Sequence, residues 1–349
     1  MDTVAIGGRV VGPRQPCLVV AEAGVNHDGD LSVALQLVDA AAEAGADAVK
    51  FQMFQADRLV AAGAPKAPYQ LETTATDESQ HEMLARLELG ADAHRRLAER
   101  ASQRGLLFLS APFDEESLRA LVELGVPAIK LPSPDLTNPF LLEAAARSGK
   151  PLLVSTGMAD LDEVARAMHV LRAAGAREVV LLHCVSSYPA DPREANLRAM
   201  RTLESKFGVP VGFSDHTLGT DVALAAVALG AAVLEKHFTL DRTRPGPDHR
   251  ASLEPGELKQ LVRSIRDVEA ALGDGEKKPA ASEQANRTVV RRSLAARVDL
   301  AEGTVLREEF LTALRPATGI AADQLHSVVG RTLRRPVAAG ELLDPDALA

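Results

Sequence analysis

The chain has 349 residues, 46% hydrophobic and 25% charged, which is ordinary for a soluble globular protein and long enough for one large unit plus a small one. Its formal charge of −9, with no basic tail or stripe, excludes a general nucleic-acid binder, so an anionic substrate has to be held by local lysines. No apolar run approaches membrane-spanning length, which argues against a membrane partner.

The opening segment MDTVAIGGRVVGPRQP lacks a signal-peptide core. Cys17 and Cys184 fall within apolar runs, as expected of free, buried thiols in a reducing compartment, and the expected location is the cytoplasm. From residue 17 to about 272 one pattern then recurs eight times: a short β-rich apolar run followed by a longer amphipathic or Ala-rich segment. The predicted strands are 17–24, 48–54, 106–113, 128–133, 152–158, 179–187, 211–215 and 233–238. Helices are predicted between them, for example over 31–45 and 160–175, and Gly45, Gly105, Gly125, Gly175 and Gly230 stand at helix ends as C-caps.

Eight such units predict an α/β fold, a (β/α)8 TIM barrel occupying residues 1–272. A doubly wound open sheet fits less well, because no glycine-rich phosphate loop follows the first strand. The stretch 55–90, with Pro65, Pro68 and Tyr69, is long for a connection and is expected to form a loop or short helix over the barrel mouth. Residues 273–290 lose the pattern and read as a linker. A small domain of short strands and turns is expected over 291–349, where DLAEGTVLREEFL and PVAAGELLDPDAL suggest an imperfect duplication.

In such a barrel the active site lies at the C-terminal ends of the strands. Nearly every predicted strand ends in polar residues, which are costly in a buried strand unless paired or bound to ligand. His216 and His237 lie 21 residues apart across one predicted helix, so their strands are parallel neighbours and the two imidazoles form a candidate divalent-metal site. Lys50 and Lys130, with Ser110, Ser133, Ser155 and Ser214, would offer cations and hydroxyls to a phosphate or carboxylate. Either lysine can instead be tied to Glu22 or Glu235. Glu22 is a candidate general base or hydroxyl partner. Glu235 and Lys236 point to opposite faces of one strand, so one of them is structural. The Pro-Gly-Pro loop after the eighth strand presents Asp248 and His249 over the mouth. A Schiff-base aldolase using Lys130 or Lys236, and a non-enzymatic carbohydrate-binding relic, are the alternatives on residues alone.

The motifs AEAGVNHDGD, VKFQMF, IKLPSPDLTN, LLVSTGM, LLHCVSSYPA, VGFSDHTLG, LEKHFTLD and RPGPDHRAS resemble, in order and over nearly the whole chain, the phosphoenolpyruvate-dependent sialic acid (N-acetylneuraminate) synthases. The C-terminal segments RRSLAARVDLAEGTVLREEFLTALRP and GRTLRRPVAAGELL are similar to the antifreeze-like (SAF) domain of these enzymes. The resemblance implies a transferase that condenses phosphoenolpyruvate with an N-acylated aldose, typically N-acetylmannosamine, to give a nine-carbon 2-keto acid and phosphate. Relatives that make legionaminic or pseudaminic acid use diacetamido-trideoxy hexoses instead.

The resemblance further implies Mn²⁺ or Mg²⁺ on His216 and His237, polarising the aldehyde. Lys50, Lys130, Ser110, Ser133, Ser155 and Ser214 would contact phosphoenolpyruvate, and Gln52, Tyr188 and Asp248 the sugar. Arg315 would reach into the partner subunit's site in a domain-swapped homodimer. Three positions depart from the family pattern. Ser133-Pro134-Asp135 replaces Ser-Gly-Glu, moving a catalytic-site carboxylate back by one methylene; Ser186 stands where N-acetylneuraminate synthases carry asparagine, and Ser110 where threonine is common.

Overall fold

Parallel strands covered on both faces must be apolar throughout, and the runs predicted here meet that requirement. The computed structural model describes residues 3–61, 63–74 and 77–349, apart from the side chains of Tyr69 and Glu72. A two-stranded antiparallel hairpin, β1 (Val4–Ile6) and β2 (Arg9–Val11), comes first. The barrel strands follow: β3 (Leu18–Gly24), β4 (Ala48–Met53), β5 (Leu107–Pro112), β6 (Ile129–Leu131), β7 (Leu152–Ser155), β8 (Val179–Cys184), β9 (Val211–Asp215) and β10 (Val233–His237).

All eight pair in parallel in the order β5-β4-β3-β10-β9-β8-β7-β6, and β5 lies against β6, so the sheet is a nearly closed cylinder. Helices alternate with the strands from Leu31–Ala44 to Pro255–Leu272. The TIM-barrel expectation holds. The predicted runs 128–133, 152–158 and 179–187 overshoot their strands, because their last residues leave the ladder to form the turns of the barrel mouth.

Side-chain alternation divides the apolar residues into two layers. Val20, Ala48, Leu109, Leu153, Val180, Leu182 and Val233 fill the lower barrel, and Val4, Ile6 and Val11 of the hairpin join that same cluster. The hairpin therefore plugs the N-terminal end of the cylinder, and burying Ile6 alone contributes roughly 2 kcal/mol. Phe51, Phe108, Ile129, Val154, Leu181, Phe213 and Leu234 face outward against the helices. Asp30, Asp114 and Asp160 cap the starts of three helices with their side chains, and Gly45 and Gly125 end two in the left-handed conformation.

The long connection after β4 folds into three short helices, Ala56–Leu59, Pro68–Thr73 and Gln80–Arg86. The side chain of Tyr69, singled out in the sequence, lies outside the described part. An ion network of Lys66, Glu78 and Arg86, with contacts of 3.0 and 2.6 Å, holds this segment together. Gly29 lets it approach the loop after β3, since a Cβ there would collide with the Arg86 carbonyl.

The chain forms two compact units, Met1–Gly273 and Asp274–Ala349. The second unit contains a short helix, Gln284–Val290, within the segment read as a linker. Its sheet pairs β11 (Ser293–Ala296) with β12 (Leu311–Leu314), around a core that includes Leu294, Leu306, Leu333 and Leu343. The duplicated phrases adopt matching shapes: each has a left-handed glycine, Gly303 or Gly340, followed by a 3₁₀ turn, and Leu300 bridges Val337 between the two copies.

Candidate active site

The alternation that fills the lower barrel with aliphatic side chains sends polar ones inward one step higher. Glu22 of β3, Lys50 and Gln52 of β4, Lys130 of β6, Ser155 of β7, Ser214 of β9 and Glu235 and His237 of β10 all line one cavity of about 630 Å³ at the C-terminal mouth. Ser133, Ser186, Tyr188, His216 and Asp248 reach it from the loops that follow the strands.

The floor is a buried ion cluster. Lys50 Nζ lies 2.8 Å from Glu22 Oε1 and 3.8 Å from Glu235 Oε1, and Lys130 Nζ lies 3.5 Å from Glu235 Oε1. Burial alone would raise Glu235, but Lys130 and Lys50 override it and hold its carboxyl down to about 2. Burial raises Glu22 to about 7, against the opposing pull of Lys50. Burial lowers Lys130, with Glu235 restraining the shift, whereas the carboxylates around Lys50 outweigh its burial and raise it. Both lysines are thus tied to carboxylates and face the cavity at once.

Serine hydroxyls line the same cavity as these cations. Ser155 Oγ and Ser186 Oγ are buried without a partner among the described residues, as are Glu22 Oε2 and Glu235 Oε2. Ser133 Oγ accepts from the Gly157 amide at 3.0 Å and lies 3.2 Å from Cys184 Sγ. Unpaired buried hydroxyls are costly, and a ligand oxygen is the natural partner. Gly157 leaves the room: a Cβ there would collide with Ser186 Oγ and fall 2.8 Å from Ser133 Oγ.

The two imidazoles stand side by side, with ring centroids 5.5 Å apart and the Tyr188 ring 4.2 Å from that of His216. His216 Nδ1 donates to the Val185 carbonyl at 2.6 Å, which turns the Nε2 lone pair inward. His237 Nδ1 is buried without a hydrogen-bond partner among the described residues, 3.8 Å from Asp248 Oδ2. Burial keeps both rings neutral, lowering His216 to about 4 and His237 well below its ordinary value, the latter with help from His216. Neutral imidazoles suit a divalent cation. Among the described residues no three His, Cys, Asp or Glu side chains converge as a metal cluster.

Several sequence expectations are redrawn. Ser110 shares the outward face of β5 with Phe108, while Leu107 and Leu109 point inward, so the inward residue at the mouth is Ala111 and Ser110 Oγ stays buried away from the cavity. Asp135 sits in a 3₁₀ turn, accepts from Asn138 Nδ2 at 2.9 Å and does not line the cavity. Burial raises its carboxyl, with Asn138 opposing. Lys236 points outward to Asp215 at 2.7 Å, which leaves Glu235 as the inward member of that pair. His249 also stays out of the cavity, packed between Asp28 and Thr239. Arg315 is exposed in the second unit. Sequence reasoning missed Gly157, Ala111 and the apolar residues Phe54, Met83, Leu84, Leu87 and Phe113 that close the cavity from above.

Comparison with known proteins agrees with this architecture. Residues 37–277 match the NeuB family and residues 291–349 the SAF domain. The chain is 48% identical over 328 residues to an N,N'-diacetyllegionaminic acid synthase of Campylobacter jejuni, covering 93% of this chain and 98% of the relative. It is 37% identical to the human N-acetylneuraminate-9-phosphate synthase over 326 residues, covering 93% and 90%. The crystal structure of an N-acetylneuraminic acid synthetase from Leptospira borgpetersenii in complex with citrate superposes with a TM-score of 0.72 at 38% identity, over 82% of this chain and 95% of that one. The chain therefore belongs to the NeuB family, as a (β/α)8 barrel followed by an SAF domain.

Proposed function

We propose that this protein is a transferase that condenses phosphoenolpyruvate and water with an N-acylated aldose, giving a nine-carbon 2-keto acid and phosphate. The observation that carries this reading is one cavity in which buried Lys50 and Lys130 stand with two neutral imidazoles and with serine hydroxyls that have no partner among the described residues. The lysines with Ser155, Ser186 and Ser214 would hold the carboxylate and phosphate of phosphoenolpyruvate, with Glu235 fixing both lysines in place. Its C3 then faces the aldehyde carbon, and a new C–C bond forms as the enol ester loses its double bond. Water adds at C2, and the tetrahedral product expels phosphate by breaking the C–O bond. Glu22, with a carboxyl near neutrality, is suited to take the proton of that water.

His216 and His237 would hold Mn²⁺ or Mg²⁺, which when bound polarises the aldehyde oxygen. Gln52, Tyr188 and Asp248 would contact the sugar. Between aldoses, the 48% identity to a diacetyllegionaminic acid synthase favours a diacetamido-trideoxy hexose over N-acetylmannosamine. Arg315, exposed on the SAF domain, suits a domain-swapped homodimer in which one copy completes the other's site. Two free buried cysteines fit a cytoplasmic enzyme, and no helix among the described residues is long and apolar enough to cross a membrane.

The test is incubation of the protein and Mn²⁺ with phosphoenolpyruvate and either aldose, following phosphate and 2-keto acid together. Equal amounts of the two, dependent on the aldose and abolished by chelation, are expected. Phosphate release independent of the aldose contradicts the reading.

A further inference from the structure

The ladder between β9 and β10 pairs Leu234 with Phe213, Glu235 with Ser214 and Lys236 with Asp215, and there it ends. The next residue on each strand is a histidine, His216 or His237. Backbone bonds then draw the two segments toward different neighbours. The His216 carbonyl accepts from the Ala190 amide at 2.9 Å, on the β8 side, and the Phe238 amide donates to the Glu22 carbonyl at 2.9 Å, on the β3 side.

The last rung of that ladder also carries an ion pair on the outer side of the barrel. Lys236 Nζ lies 2.7 Å from Asp215 Oδ2, and both side chains are fully buried. Lys236 donates as well to the carbonyl of Thr217, the residue after His216. Asp215 Oδ1 accepts from the Thr217 amide at 2.9 Å and from Thr217 Oγ1 at 2.8 Å. Asp215, Thr217 and Lys236 thus form one clamp that brackets His216 on both sides and starts from the residue before His237. None of the three lines the cavity. A buried ion pair is seldom a net stabiliser compared with apolar residues of the same volume, so its directional bonds are the feature to explain. Here they reach across the two strands just past the end of the backbone ladder.

We infer that this clamp is a positioning device, setting the separation and tilt of the His216 and His237 rings so that one divalent cation reaches both. The inference rests on the metal reading of the two imidazoles and adds to it three residues that touch neither cation nor substrate. Groups that orient metal ligands from behind are worth about tenfold to a hundredfold in metal affinity.

The test measures Mn²⁺ binding by electron paramagnetic resonance in the full-length protein without substrates, alongside the thermal midpoint. It compares the wild type with the double variant Asp215→Asn/Lys236→Met, with Thr217→Val and with Ile6→Ala. The double variant removes the tie between the strands and keeps an acceptor for Thr217. Because the pair carries no net charge, its removal changes the field at the imidazoles little, and a loss of affinity reports position. The dissociation constant for Mn²⁺ should rise about tenfold or more in the double variant and several-fold in Thr217→Val. Ile6→Ala, in the plug at the opposite end of the barrel, should lower the thermal midpoint and leave Mn²⁺ binding unchanged. An unaltered constant in the folded double variant, or in Thr217→Val where the double variant does not fold, overturns the clamp and leaves the metal site standing. An equal loss in Ile6→Ala overturns it too, since stability alone would then set the affinity. A wild type that binds no Mn²⁺ overturns the metal reading and the clamp together, whereas failure to condense phosphoenolpyruvate with the expected Mn²⁺ pattern intact sinks the condensation reading alone.

Discussion

Asp28 and His249, 221 residues apart in the chain, meet at 2.9 Å through Oδ1 and Nε2. The other ring nitrogen of His249 lies 2.7 Å from Thr239 Oγ1, so one buried imidazole pins the loop after β10 to the loop after β3. Gly246 permits the packing, since a Cβ there would come within 2.7 Å of the His249 ring. Asn26 adds a second pin by donating to Ser252 Oγ and to the Phe238 carbonyl, both at 2.9 Å. The loop so held carries Asp248, whose carboxyl burial raises to about 6. His249→Ala is expected to raise the aldose KM about tenfold while leaving that for phosphoenolpyruvate unchanged, because small displacements of a positioning group are costly. Equal rises in both constants would show a general structural role instead.

Gly157 tests the anion cradle. In Gly157→Ala the methyl group would occupy the space between Ser186, Ser133 and Cys184. Overpacking of this kind costs about 1–3 kcal/mol of stability, and the KM for phosphoenolpyruvate should rise by about tenfold or more. An unchanged KM at reduced thermal stability would remove these serines from the site.

Lys236 tests the Schiff-base alternative. Its ammonium is fully buried, bonded to Asp215 at 2.7 Å and to the Thr217 carbonyl, on the outer side of β10. Replacing it by methionine strands a buried carboxylate and should cost about 3 kcal/mol or more of stability. Borohydride with pyruvate should not trap wild-type protein; a covalent adduct at Lys236 or Lys130 would contradict the proposed chemistry.

Acid sensitivity should trace in part to His27. Burial lowers this imidazole to about 4, with its Nδ1 accepting from the Gly29 amide and no partner on Nε2 among the described residues. The unfolded chain binds a proton at this residue near pH 6.5 and the folded one near pH 4. Its contribution is therefore complete above about pH 6.5 and is lost as the pH falls toward 4, about 3 kcal/mol in all. His27→Asn should flatten the denaturant-measured stability profile between pH 6.5 and 4 by about one proton; an unaltered slope would assign the effect elsewhere.

The barrel was legible in the sequence because strands buried on both faces read as apolar runs, and their polar ends marked the mouth. The same property hid which face each residue takes. A run without alternation does not reveal that Ala111 points inward and Ser110 outward, and only pairing between strands fixes it. The tie between Lys50 and Glu22 was visible as an alternative, because both types recur at strand ends. The hairpin escaped notice because its two three-residue strands gain their stability from the barrel interior, a contact far away in sequence. Asp135 looked available as a carboxylate after β6, yet Asn138, one turn on, takes it as a local hydrogen-bond partner. Met83, Leu84 and Leu87 carried no signal because a seven-residue helix is too short to show its period.

Phosphoenolpyruvate labelled with oxygen-18 in the bridge between C2 and phosphorus tests the central claim most directly. With aldose, Mn²⁺ and wild-type protein, mass spectrometry should find the label in the released phosphate and a solvent oxygen at C2 of the keto acid. Label retained in the keto acid would mean that the phosphorus–oxygen bond breaks instead, and would contradict condensation through a tetrahedral C2 centre.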